Sequence, residues 1–127
     1  MVRLFLKQCD VQLNVRDRFG RTALWYAAYN GDDQMARLLL ARPDVNVNSK
    51  DGDGISPLLI AARIGCGVVV GLLLAHYDIE VNSKDKDECT PLLIAAQWGH
   101  NGVVKPLLAR GDTEIIQRTM AEGHRCR

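Results

Sequence analysis

Histidine, aspartate and cysteine are the side chains here that can ligate a metal or move a proton, and their placement argues against both. His76, His100 and His124 have no second ligand at a useful interval, whereas a metal site needs several ligands at short, fixed spacings. Asp51 and Asp53, and again Asp85 and Asp87, form acidic clusters that resemble cation loops. The calcium-loop pattern is absent, and aspartate is a favoured turn residue, so turn chemistry is the better reading. No P-loop, nucleophile elbow or Gly-rich dinucleotide fingerprint occurs. The expectation is no enzyme, no cofactor and no metal. Cys9, Cys66, Cys89 and Cys126 show no C-x-x-C spacing. Free thiols are expected, which implies an intracellular, reducing compartment such as the cytoplasm.

The elements that carry these residues repeat every 34 positions. Thr22-Ala-Leu, Ser56-Pro-Leu and Thr90-Pro-Leu are 34 apart, as are Ala27-Ala28, Ala61-Ala62 and Ala95-Ala96, and Gly31, Gly65 and Gly99. Asn14, Asn48 and Asn82 follow the same interval, and Asp10, Asp44, Asp78 and Asp112 mark four passes of it. Such a period means small supersecondary units stacked on their neighbours.

Within residues 51–84, Asp51-Gly-Asp-Gly54 is a turn. Ser56 can cap a helix and Pro57 suits its first position. A short first helix over 58–63 ends at Gly65. A second over 68–75 places Val69, Leu72 and Leu73 on one face. Residues 78–82 alternate and read as a short extended arm. Helices this short are marginal alone, below the ~12–15 residues an isolated helix needs, so stability must come from stacking.

Asp85-Lys-Asp-Glu-Cys-Thr90-Pro-Leu-Leu-Ile-Ala-Ala96, followed by Gly99-His100, Val103-Val104 and Leu107-Leu108, resembles an ankyrin repeat, and residues 17–50 and 51–84 match as well. The resemblance implies an all-α solenoid of helix–turn–helix units with hairpin fingers. The lengthened finger, ending in Asn-Ser-Lys-Asp, resembles arrays of fungal NACHT/NB-ARC-type receptors. The whole of 1–127 reads as one domain: a partial repeat 1–16, full repeats 17–50, 51–84 and 85–118, and a tail 119–127.

Three departures from the family pattern carry expectations. Trp25, Leu59 and Leu93 stand where the family has a histidine, which shifts these repeats toward apolar packing. Glu88 stands where Gly20 and Gly54 suit a positive φ, at a cost of about 1 kcal/mol if that φ is kept. Pro106 falls inside the last second helix, which predicts a kinked or shortened helix over 101–109, at a cost of ~3 kcal/mol.

The ends depart from the pattern too. The chain starts in register with a second helix, which implies uncovered apolar surface at Leu4, Leu6 and the face of Leu24. A fragment of a longer array, or a degenerate gene copy, is the corresponding expectation. Residues 113–122 have the composition of one last short helix, with Ile115, Ile116 and Met120 facing the stack.

The net charge of +1 offers no basic footprint for nucleic acid. No segment reads as a signal peptide or membrane span. In ankyrin proteins, ligands usually meet finger tips and the exposed first helix. By position these are Arg18, Phe19, Arg21, Tyr29 and Asn30, then Asp53, Ile55, Arg63 and Ile64, then Lys86, Asp87, Gln97 and Trp98. Tyr29, Arg63 and Trp98 are the expected anchors, since aromatic and arginine side chains dominate binding hot spots. The alternative is that Tyr29, Ile64 and Trp98 merely cover helix turns. Asn48 and Asn82 resemble the family's hydroxylation acceptor, but side-chain bonds that hold the turn are the favoured reading. The resulting function is non-catalytic binding of a protein partner, as part of a larger sensor or scaffold. Structural spacer repeats without a ligand, or a degraded copy, are the alternatives.

Overall fold

The computed structural model describes residues 14–110, which hold six helices and no strand. In chain order these are α1 (Ala23–Asn30), α2 (Asp33–Leu40), α3 (Pro57–Ile64), α4 (Gly67–Leu74), α5 (Pro91–Gln97) and α6 (Asn101–Arg110). The expectations for residues 1–13 and 111–127, including the helix over 113–122 and the tail, lie outside the described residues.

Each first helix begins the same way. Thr22, Ser56 and Thr90 sit in extended backbone, and their hydroxyls accept from the N–H of Trp25, Leu59 and Leu93. That bond satisfies a donor the helix cannot pair internally. Pro57 and Pro91 fill the first helical turn. Gly31 and Gly65 end α1 and α3 at φ 66° and 86°, a region where an L side chain is strained.

Each pair folds on itself, and pairs stack: α1 on α3 on α5, and α2 on α4 on α6. The core follows the period. Leu39, Leu73 and Leu107 are buried in the second-helix layer, with Val69 and Val103 beside them. Leu24 and Leu58 are buried between first helices, and Ala28 and Ala62, fully buried, let those helices approach. Leu24 is only 2% exposed, so its face is not uncovered as expected; it belongs to the continuous buried cluster.

Pro106 corrects a second expectation. α6 runs unbroken from Asn101 to Arg110 with the proline inside it. The ring takes the half-buried place that Leu38 and Leu72 hold in the other repeats. The carbonyl that loses its N–H belongs to Gly102, four residues back. That carbonyl faces Gly67 of α4, where a Cβ would lie 3.3 Å from its oxygen. Glycine at 67 lets α4 lie close to that carbonyl.

The fingers are tight turns, each closed by a backbone bond across its base, Asp17 N–H to Arg21, Asp51 N–H to Ile55 and Asp85 N–H to Cys89, and by one at its tip, Gly20 N–H to Asp17, Gly54 N–H to Asp51 and Glu88 N–H to Asp85. Asp17, Asp51 and Asp85 each accept two further backbone N–H bonds on Oδ1, from the residues two and four positions on. The acidic clusters are therefore turn-formers. Glu88 takes φ 62°, the left-handed value of Gly20 (79°) and Gly54 (77°).

Candidate protein-binding surface

The finger tips and first helices form one face. Phe19, Tyr29, Ile64 and Trp98 are about half exposed on it, at 51, 49, 44 and 54%. Arg18, Asn30, Asp53, Arg63, Lys86, Asp87 and Gln97 are also exposed, while Arg21 and Ile55 are half-buried. Three groupings result.

The first finger is basic and aromatic. Arg18 and Arg21 lie 5.2 and 5.0 Å from the Phe19 ring centroid, and Arg21 lies 4.2 Å from that of Trp25. Arg21 is held there: its Nε is 3.6 Å from Asp51 Oδ2, a carboxylate only 2% exposed. Burial opposes the Arg21 charge, and Tyr26 and Asp51 more than offset this, raising its pKa above the usual value. Arg21 thus ties finger to helix. The Tyr26 hydroxyl donates to Asp17. That bond, aided by the backbone N–H of Arg21, holds the Asp17 carboxyl below its ordinary value and raises the phenol above its own.

An open groove of about 560 Å³ separates the first two fingers, lined by Arg16, Arg18, Phe19 and Asp53 among others. Asp53 pairs with Lys86 of the next finger at 3.1 Å, which raises the Lys86 pKa.

On the first helices, Arg63 lies 5.5 Å from the Trp98 ring centroid. With Ile55, Leu59, Asp85, Ile94 and Gln97 these two line a small pocket of about 60 Å³. Tyr29 stands apart, stacked on Trp25 at 5.4 Å and 18°. Trp25 itself is buried, and its indole N–H has no hydrogen-bond acceptor among the described residues. Apolar packing has replaced a polar position here, at a desolvation cost of about 1–3 kcal/mol.

The remaining chemical candidates serve the scaffold. His100 donates from Nε2 to the Arg63 carbonyl at 2.9 Å, the carbonyl fixing the tautomer. His76 Nδ1 accepts from the Asp78 N–H. Cys66 is a free thiol, but Cys89 is disulfide-bonded, which corrects the expectation of free thiols throughout. Sulfur pairing depends on which residues the fold brings together, and linear spacing does not report that. Among the described residues no helix is long and apolar enough to cross a membrane.

Asn14 and Asn48 refine another expectation. Their side chains bridge to the next repeat rather than hold their own turn. Asn14 Nδ2 donates to the Asp44 carbonyl and its Oδ1 accepts from the Asn46 N–H. Asn48 repeats both bonds to Asp78 and Glu80. A second rung uses cations: Arg16 donates to the Lys50 carbonyl and Lys50 to that of Lys84. Arg16 also lines the finger groove and was not anticipated there. The signal available was the basic residue at 16, 50 and 84.

The capped first helices, left-handed glycines and stacked pairs are matched by comparison with protein families. A family described as ankyrin repeats (3 copies) matches residues 39–119, and a second, ankyrin repeats (many copies), matches residues 6–61. The chain belongs to the ankyrin-repeat family. Ankyrin repeats generally mediate protein–protein interaction and are typically non-catalytic. Among curated proteins no relative matches this array.

Proposed function

We propose that this ankyrin array is a non-catalytic module that holds a protein partner against its fingers and first helices, as a segment of a larger sensor or scaffold protein. The observation that carries the reading is the exposure of Phe19, Tyr29, Ile64 and Trp98 on one face, beside the exposed Arg18 and Arg63. Large apolar side chains left about half in water, next to arginines, are the composition of a binding hot spot. With the array divided into repeats 17–50, 51–84 and 85–118, Tyr29 and Arg63 share one register position and Ile64 and Trp98 the next.

The test replaces Tyr29, Arg63 and Trp98 together with alanine. Proteins crosslinked to the wild-type chain should be lost from the variant, while its melting curve shifts by only a few degrees. A melting curve that collapses, with crosslinking unchanged per folded molecule, would instead mark these side chains as packing and the array as a spacer.

A further inference from the structure

The cations of the finger face differ in how far they are already satisfied. Lys86 is paired with Asp53, and Arg21 with Asp51. Arg16 directs its N–H groups at the Gly20 and Lys50 carbonyls. Arg18 and Arg63 have neither an ion pair nor a side-chain hydrogen bond among the described residues; each lies against an exposed aromatic ring, Phe19 and Trp98 respectively. Cations and carboxylates lining the finger groove are equal in number but not in availability. Asp17 is engaged by Tyr26 and two backbone N–H groups, Asp51 by its own turn and Arg21, and Asp53 by Lys86.

We propose that the partner segment is an acidic linear peptide whose carboxylates meet Arg18 and Arg63 and whose neighbouring apolar side chains lie on Phe19 and Trp98. The inference rests on the protein-binding reading and adds the chemistry of the ligand. A guanidinium stacked on a ring keeps its N–H edges free, and that planar fork matches a carboxylate with two parallel bonds. The ring beside it supplies apolar area at low entropic cost. Two such pairs therefore select a carboxylate next to a hydrophobic side chain, twice. The groove of about 560 Å³ between the first two fingers is open enough for an extended chain to enter.

The test selects a phage-displayed library of random linear peptides on the full chain and measures the enriched peptides by fluorescence anisotropy. Enriched sequences should place Asp or Glu beside Leu, Ile or an aromatic residue. Their affinity should fall with added salt and drop roughly tenfold in Arg18→Gln or Arg63→Gln, the loss expected of a hot-spot arginine. Arg18→Lys should retain part of it. Neutral or basic peptides that still depend on Phe19 and Trp98 would overturn this proposal and leave the binding surface standing. Peptides indifferent to all four residues, or no enrichment, would overturn both.

Discussion

Replacing Glu88 with glycine should stabilise the array. Glu88 holds φ 62° at the tip of the third finger, donating its N–H to Asp85 as Gly20 does to Asp17 and Gly54 to Asp51. A left-handed conformation costs an L residue about 1–2 kcal/mol. Glycine removes that strain but adds disorder to the unfolded chain, worth about 0.4–1 kcal/mol. The net gain is about 0.5–1 kcal/mol. With a urea slope of about 1–3 kcal/mol per molar, the midpoint should rise by a few tenths of a molar. The reciprocal change, Gly54→Ala, should cost more than Glu88→Gly returns. It adds the same strain at φ 77° and sets a Cβ 3.0 Å from the Lys86 backbone nitrogen. Equilibrium urea unfolding followed by far-ultraviolet circular dichroism measures both. A midpoint that stays or falls in Glu88→Gly would refute the strain argument. A harmless Gly54→Ala would refute the claim that adjacent fingers approach too closely for a side chain.

Asn48→Ala removes two bonds between repeats, to the Asp78 carbonyl and the Glu80 N–H, and should cost about 1–2 kcal/mol by urea unfolding; a neutral result would remove the ladder from the account of stability. Pro106→Ala lets residue 106 donate to the Gly102 carbonyl and should raise stability by about 1–2 kcal/mol with unchanged helix content by circular dichroism; a loss would mean that the ring packs better than the bond repays. Tyr26→Phe should destabilise the array in a pH-dependent way. The folded Asp17 pKa is lowered chiefly by the Tyr26 hydroxyl, so that contribution is present above the unfolded carboxylate value of about 3.9 and is lost as pH falls through the lower folded value. Melting curves of the two proteins should therefore converge in acid, and a gap constant into strong acid would exclude the Asp17 bond as its source.

What was legible in the sequence was what the chain decides locally. Thr22, Ser56 and Thr90 cap helices begun a residue later, and Gly31 and Gly65 end them; both depend on residues a few positions away. The buried rows at Leu39, Leu73 and Leu107 follow from the period alone. The positive φ of Glu88 was legible because two glycines share its register. The misreadings arose where a neighbouring repeat decides. Pro106 sits in an unbroken helix whose Gly102 carbonyl lies close to Gly67, on another helix. The destination of the Asn48 side chain lies 30 residues away, and the state of Cys89 depends on spatial pairing. That Arg21 and Lys86 are ion-paired, while Arg18 and Arg63 have no ion pair among the described residues, depends on neighbouring fingers and was not readable in the sequence.

The asparagine and basic rungs also bear on how such a chain changes length over generations. Every rung spans a fixed separation: 30 and 32 residues from each asparagine, 34 from each basic residue. Unequal crossover between gene copies that adds or removes a whole 34-residue segment rebuilds each rung with an equivalent residue. An in-frame gain or loss of any other length keeps the rungs only where the change bulges out of the stack. The ladder thus favours duplication in whole units and confines other insertions to segments that loop away from the rungs.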